Sequence, residues 1–434
     1  MTAAPGLEPR RAALHILEQV RAGRPFERAL DGNVGALAEP DRRLAHELAA
    51  GVLRQRNRLD RRLAPLVSRR WTKVAPQLQD ILRLGAYQLT ELDRVPPHAA
   101  VDTSVSLARD TQGSRAAGFV NAVLRQLSRS NDRPGTAAPR DPESLASDYS
   151  HPEWLVRRWV EHFGPAATAR LLDWNNTRPR LSAQPARTDL QTLAARWKVA
   201  GIGVEAAPYD AGLLVDRSRP EELSGYEAGD FLIQNPAQAL LACYADIDPG
   251  ITLFDACAAP GGKTLTAGRR AGRIIAADIS AARAARLRAN VQRAGSGREQ
   301  VIVADARHPP LRTVGALLLD VPCLGTGTFA RHPDARWRVS AQALAALAGL
   351  QAELLDASAE LIPPGGLLVY STCSLEPEEN EEQVERFLTR HPEFQREPSD
   401  RVPPELLSAV GDLMILPQTH GIDGAYAARL RRRA

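Results

Sequence analysis

Cysteine is scarce in this chain of 434 residues: there are four, Cys243, Cys257, Cys323 and Cys373, and no two form a CxxC pair. So few thiols cannot staple a chain of this length, and no zinc knuckle or other metal site is expected. Long apolar runs are missing too. No stretch of about 18 apolar residues occurs, and the opening MTAAPGLEPRRAAL has no apolar core of signal-peptide length. A cytoplasmic, reducing setting without membrane contact is therefore expected. Internal repeats and sustained heptads are also lacking, which leaves a monomer as the default. What is present is a globular mixture, 44% apolar and 24% charged, and this excludes a wholly disordered or collagen-like chain. At roughly 150 residues per domain the length suits about three domains.

The net charge of +4 is unevenly spread. Residues 1–130 hold 21 Lys and Arg against 13 Asp and Glu, or +8, whereas residues 131–230 carry −3 and 231–434 carry −1. Arginines 54, 56, 58, 61, 62, 69 and 70 have the density to neutralise nucleic-acid phosphates, since each contact releases condensed counterions. A solvated face of arginine-rich helices explains the same cluster equally well.

Apolar periodicity divides the chain. Residues 8 to about 130 read as helices, with Leu44, Leu48, Val52 and Leu53 on one face and Val120, Val123, Leu124 and Leu127 on another. The run SNDRPGTAAPRDPESLASDYS has no apolar period and reads as a linker. A helix WLVRRWVEHF and short alternating stretches around TDLQTLAARWKVAG suggest a small α+β module. Beyond it, ITLFD (251–255), RIIAAD (273–278), VIVAD (301–305), ALLLD (316–320) and GLLVYS (366–371) read as buried strands separated by helices. That alternation predicts a doubly wound parallel sheet with its ligands at the strands' carboxyl ends. The expected domains are an all-α domain over 1–135, a small α+β module over 148–230 and an α/β Rossmann-like domain over 231–434.

The loop DACAAPGGKT links the first of these strands to a helix, and its glycines permit a tight turn close to a ligand. A phosphate loop is the rival reading, but Cys257 stands where its first glycine belongs and Pro260 interrupts the amides. Asp278, about 20 residues on, is placed as a ribose-binding acid would be, and Asp305 could accept from an adenine amine. Each is explained as well by capping the next helix. Two further loops, DVPCLGTGT and YSTCSLEPEEN, follow the fourth and fifth strands and should bring Cys323 and Cys373 to one cleft. The segment LEPEENEEQVERFL is expected to begin a helix near Pro377, with its acids serving structure. Arg331, His332, Arg336 and Trp337 of RHPDARW are candidates to line a nucleic-acid cleft by phosphate contact and base stacking, and a packed loop explains Trp337 equally well. Cys243 reads as an inert, buried small side chain.

DACAAPGGKT, DVPCLGTGTFARHPDARW and STCSLEPEENEEQ, in this order, resemble the RNA cytosine-5 methyltransferases of the Fmu/Sun (NOL/Sun) type. GIDGAYAARL resembles that family's final strand motif, and GDFLIQNPAQAL its lead into the catalytic domain. The stretches DRRLAHELAAGVLRQRNRLD, DILRLGAYQL, DRVPPHAAVD and AAGFVNAVLRQ resemble a NusB-like RNA-binding domain. The resemblance implies S-adenosyl-L-methionine as cofactor, 16S ribosomal RNA as partner and 5-methylcytosine as product. It also implies that Cys373 is the nucleophile and that Cys323 assists proton removal or product release. Asp320 would hold the cytosine edge and Lys263 would position that carboxylate. The matching cofactor-binding positions are Cys257, Ala258, Ala259, Pro260, Gly261, Gly262, Lys263, Asp278, Asp305 and Asp320. Arg283 matches a recurrent arginine of unassigned role. A non-catalytic NusB-like assembly factor is the alternative; a methyltransferase for exocyclic amines is disfavoured by DVPC at the fourth strand.

Overall fold

The computed structural model describes residues 6–130, 141–217 and 219–434. It divides into two units, Met1–Thr177 with Phe329–Arg338, and Arg178–Thr328 with Val339–Ala434. Residues 148–177, expected to open the small module, thus belong to the first unit. Residues 131–140 of the expected linker lie outside the described residues.

The first unit is helical: α1 (Leu7–Arg21), α2 (Phe26–Val34), α3 (Glu39–Leu63), α4 (Pro76–Glu91), α5 (Pro97–Gln112), α6 (Ser114–Arg129), α7 (Pro142–Asp148), α8 (Glu153–Phe163) and α9 (Pro165–Asn175). Proline at the start of α4, α5, α7 and α9 loses no intrahelical hydrogen bond there, because its missing N–H would have had no partner. The predicted apolar faces are inside: Leu48, Val52 and Leu53 on α3 and Val120, Val123, Leu124 and Leu127 on α6 are buried, with Leu44 half-buried at the rim. Residues 142–148 are helix rather than linker. Asp141 caps α7 by accepting from the Ser144 N–H at 2.9 Å, and Leu145 and Ala146 are buried, so two side chains anchor it without a visible period.

This unit's core is completed by residues from far along the chain. Phe329 is fully buried, 6.2 Å from Trp159 and 6.5 Å from His151 between ring centroids. Arg336 is likewise without exposed surface.

The second unit holds two sheets. The smaller joins β1 (Leu181–Pro185), β2 (Val204–Ala206), β3 (Leu213–Val215) and β4 (Phe231–Ile233) in the order β2-β3-β1-β4, all antiparallel, with α10 (Leu190–Val199) packed against it. Trp197 of α10 meets Phe231 edge-on at 4.9 Å. The module thus runs past its expected end at 230, because Phe231 is part of its core.

After α11 (Pro236–Ala245) come β5 (Thr252–Asp255), α12 (Gly262–Ala267), β6 (Arg273–Asp278), α13 (Ala281–Ala294), β7 (Glu299–Val303), β8 (Ala316–Asp320), α14 (Ala341–Ala359), β9 (Leu367–Thr372), α15 (Glu381–Arg390), β10 (Phe394–Arg396), β11 (Leu413–Ile415), α16 (Pro417–His420) and β12 (Ala425–Arg432). The sheet order is β10-β12-β9-β8-β5-β6-β7, with β11 also on β12. Strands β5 to β9 are parallel, as expected; β10, β11 and β12 add antiparallel pairings that the alternation did not reveal. β7 is an edge strand, half-exposed and ending at Val303, so Asp305 lies on the turn beyond it.

Candidate active site

From β5 the chain winds outward to β6 and β7, then returns to β8 on the other side of β5. This reversal opens a crevice at the carboxyl ends of β5 and β8, where ligands of such sheets bind. Lys263, on the first turn of α12, donates Nζ to Asp320 Oδ2 at 2.6 Å across it. Ser371 Oγ donates to the other oxygen of Asp320 at 3.0 Å. Burial disfavours the Lys263 charge, but Asp320 and then Cys373 favour it more, and its pKa is raised. Beneath them Asp255 is buried and accepts from Thr264 Oγ1 at 2.6 Å; burial pushes its carboxyl up to about 7.

The glycine loop turns with Gly261 at φ 107°, a left-handed conformation where a Cβ would also lie 2.7 Å from Leu287. Beside it is a cavity of about 320 Å³. Cys257, Ala259, Asp278, Asp305 and Asp320 line it; Ala258, Pro260, Gly261, Gly262 and Lys263 do not. Asp278 accepts from the Ser280 N–H and pairs with Arg283 at 3.0 Å. Arg283 also donates to the Ala259 carbonyl at 3.3 Å, so it ties the loop to the end of β6. Asp305 is gripped by its neighbour Arg307, whose hydrogen bonds hold its pKa below the usual carboxylate value. Burial, then the carboxylates Asp255, Asp320 and Asp278, pushes the Cys257 thiol up to about 12. Ile279, Leu350 and Leu354 complete the apolar side of the cavity and were missed by sequence reading. Ile279 carries a signal in hindsight, as a large apolar residue placed directly after a strand-end acid.

Cys323 and Cys373 face each other with their Sγ atoms 3.4 Å apart. Two hydrogen bonds bring their loops together, and a third ties in the segment before β12. The Gly327 N–H donates to the Cys373 carbonyl at 3.0 Å, the Gly424 N–H donates to Gly327 at 2.8 Å, and the Leu375 N–H donates to Thr326 Oγ1 at 2.8 Å. A Cβ on Gly327 would lie 2.7 Å from Gly424 and 2.8 Å from the Cys373 carbonyl, so only glycine allows this approach. The hydrogen bond with Cys373, reinforced by burial, raises the Cys323 pKa well above its ordinary value.

Four expectations are corrected. Arg336 and Trp337 line no cleft: Arg336 is buried within the first unit, and Trp337 donates Nε1 to the Leu53 carbonyl at 2.8 Å with the Arg56 guanidinium 5.2 Å from its ring centre. Arg54 is buried and donates to the Ala330 carbonyl at 3.2 Å, which removes it from the basic surface. Cys243 is exposed, because its helix α11 turns that position outward. The helix expected from Pro377 is broken at Asn380, φ −115° and ψ −111°; residues 377–379 form a separate turn that points Glu379 inward.

Comparison with known proteins agrees with this arrangement. Residues 243–431 match the 16S rRNA methyltransferase RsmB/F family, 7–129 the NusB family, and 151–220 the ferredoxin-like domain of RsmF/B-like methyltransferases. The chain is 35% identical over 411 residues to a probable ribosomal RNA small subunit methyltransferase B of Synechocystis, covering 91% of this chain and 92% of the relative. It is 34% identical over 436 residues to ribosomal RNA small subunit methyltransferase B of Vibrio cholerae, covering 97% and 96%. Among solved structures, PH0851 superposes with a TM-score of 0.83 at 23% identity over 99% of both chains, which supports the fold. NSun6 from Pyrococcus horikoshii gives 0.56 at 18% identity, covering 64% of this chain and 97% of that one. Agreement over almost the whole length with relatives at this identity shows that the chain belongs to the 16S rRNA methyltransferase RsmB/F family.

Proposed function

We propose that the protein methylates carbon 5 of a cytosine in 16S ribosomal RNA through a covalent bond between Cys373 and carbon 6, with S-adenosyl-L-methionine as methyl donor. The observation that carries this reading is the 3.4 Å approach of two thiols beside the Lys263–Asp320 pair, at the ends of β8, β9 and α12. The curated relatives named for small-subunit ribosomal RNA supply the substrate class.

The cavity beside the glycine loop fits the donor. Asp278 and Asp305 offer acceptors for ribose hydroxyls and an amine, while Ile279, Leu350 and Leu354 offer apolar surface for a flat heterocycle. When bound, that group supplies an electrophilic methyl carbon.

Carbon 5 of cytosine is a weak nucleophile until a thiolate adds to carbon 6 and turns the C5=C6 bond into an enamine. Cys373 supplies that thiolate. Lys263 lies close enough for its charge to interact with Cys373. Asp320, held from both sides by Lys263 and Ser371, presents its carboxylate to the cytosine edge. After carbon 5 is methylated, its proton passes to solvent, the electron pair of that C–H bond re-forms C5=C6, and the bonding pair of the carbon 6–sulfur bond returns to Cys373. Cys323, still carrying its proton, hydrogen-bonds the departing sulfur. A base inside a helix presents neither face of carbon 6, so the target cytosine must be unstacked or already in a loop.

The test is transfer of labelled methyl to unmodified 16S ribosomal RNA and small-subunit particles, with the product base mapped. 5-Methylcytosine formed by the wild type, absent in Cys373→Ala, and an RNA adduct accumulating in Cys323→Ala are expected. Cofactor binding without transfer to either substrate would overturn the reading and favour the assembly factor.

A further inference from the structure

Cys323 is held from both sides by groups that the reaction itself does not use. Gln351 of α14 donates Nε2 to the Pro322 carbonyl at 2.9 Å, just before Cys323. Just after it, the Leu324 N–H donates to both carboxylate oxygens of Glu379, at 3.1 and 3.2 Å. The two holders are themselves joined, Gln351 Nε2 donating to Glu379 Oε1 at 2.9 Å. Tyr370 braces them, its hydroxyl 3.3 Å from Gln351 Oε1 and 2.6 Å from the Glu379 carbonyl.

A buried acid is a costly way to fix a loop. Glu379 and Gln351 are both without exposed surface, and among the described residues no cation pairs with Glu379. Withdrawing a carboxylate from water without a counter-ion costs several times what an amide costs, so a neutral side chain would serve better if packing were the only demand. Burial raises the Glu379 pKa, while hydrogen bonds from Ser374, Gln351 and the Leu324 N–H favour its charged form; that charge adds to the Cys373 hydrogen bond and to burial in discouraging the Cys323 thiol from ionising. The other titratable groups near the two are Cys373, Tyr370 and Glu376, with Arg386 beyond Tyr370.

We propose that Glu379 and Gln351 are positioning residues that clamp the peptides on either side of Cys323, so that its thiol stays against Cys373 as hydrogen-bond donor during product release. The proposal rests on Cys373 being the nucleophile. In the step it serves, the carbon 5 proton passes to solvent and the electron pair of that C–H bond re-forms C5=C6. The electrons of the Cys373–carbon 6 bond return to sulfur, where the Cys323 S–H donates to the new thiolate. A displaced or ionised Cys323 cannot give that hydrogen bond, and the adduct should persist.

The full-length protein with Glu379→Gln and Gln351→Met separates the clamp from a merely structural role. Glu379→Gln keeps shape and one acceptor but removes the charge; Gln351→Met keeps the charge and releases Pro322. Turnover is measured on 16S ribosomal RNA with S-adenosylmethionine, and the RNA–protein adduct is quantified on denaturing gels. Cys323 alkylation by iodoacetamide is followed against pH by peptide mass spectrometry. Glu379→Gln should slow turnover about tenfold with adduct accumulating, since small displacements of a positioned group cost rate heavily. It should also lower the pH at which Cys323 is alkylated by about one unit, the scale on which a neighbouring charge acts. Gln351→Met should accumulate adduct while leaving that pH in place. Wild-type adduct levels and alkylation profiles in both variants would overturn the clamp. If Cys373→Ala still forms the adduct, the nucleophile assignment fails instead, and the alkylation profile alone decides whether Glu379 governs Cys323. A Glu379→Gln protein that does not fold passes the decision to Gln351→Met, whose unchanged adduct level would overturn the proposal.

Discussion

Arg336 in the helical unit and Lys263 in the methyltransferase unit are both cations drawn away from water, and they are held in different ways. Arg336 donates Nη2 to the Asn175 carbonyl at 2.6 Å and Nη1 to Asn176 Oδ1 at 2.7 Å, with no carboxylate among the described residues paired to it. Burial, with Arg54 nearby, pushes its pKa down to about 9. Lys263 faces a carboxylate at 2.6 Å that keeps some solvent access, and its charge is favoured. Fixed neutral acceptors satisfy a cation whose job is to close a core. An ion pair at the rim of a crevice keeps both charges available to a ligand. Burial of charge alone does not therefore identify a functional site; what matters is whether the partner of the charge remains reachable.

The largest expected effect follows on the functional side. Lys263→Met should lower methyl transfer by about a hundred- to a thousandfold, the usual loss on removing one electrostatic stabiliser, while stability measured by urea unfolding changes by about 1 kcal/mol or less. Arg336→Ala should do the reverse. Losing its hydrogen bonds and opening a cavity should cost about 3 kcal/mol, seen as faster hydrogen exchange in α8 and α9, with S-adenosylmethionine affinity retained. If either variant shows the other's signature, the contrast between the two cations fails.

The same two regions should respond to pH with opposite sign. His151, fully buried beside Arg336, has its pKa lowered well below 6.5 by burial and by that cation. The unfolded state then binds the proton more readily, so stability contributed by neutral His151 is lost as pH falls below 6.5. Asp255 behaves oppositely, because its folded pKa of about 7 stands above the unfolded value near 3.8. Its contribution is complete below about pH 4 and is lost as pH rises to 7. Asp255→Asn should gain on the wild type across that window, by up to about 4 kcal/mol, and His151→Gln should flatten the acid limb of the profile. Thermal unfolding from pH 4 to 8 measures both. The smallest effect belongs to Arg283→Ala. An exposed cation tying the glycine loop to Asp278 should change S-adenosylmethionine affinity by about threefold or less, measured by calorimetry.

How much of this was legible in the sequence depended on whether the cause was local. Strand-end acids, the glycine at 261 and the cysteines of two strand-end loops are fixed by short-range geometry, and the structure brings Lys263, Asp320, Cys323 and Cys373 together. The apolar faces of α3 and α6 were equally readable. Arg336 was not, because an arginine in RHPDARW looks exposed until acceptors at Asn175 and Asn176, some 160 positions earlier, are placed around it. Glu379 was read as a helix-start acid; only the break at Asn380 and the distant Gln351 turn it inward. GIDGAYAARL marked β12 as a strand by resemblance, but its antiparallel direction was not legible, because a strand's direction depends on its partner β9, not on its own residues.

The segment Phe329–Arg338 carries a consequence for synthesis. A ribosome making this chain releases α1 to α9 long before it reaches the residues that fill their core, so the helical unit must wait, with the Phe329 and Arg336 positions empty, for about 150 more residues to emerge. A fragment cut at Thr177 would hold α1 to α9 and still lack that unit's final piece. Any attempt to express the helical unit alone must therefore carry that ten-residue peptide with it.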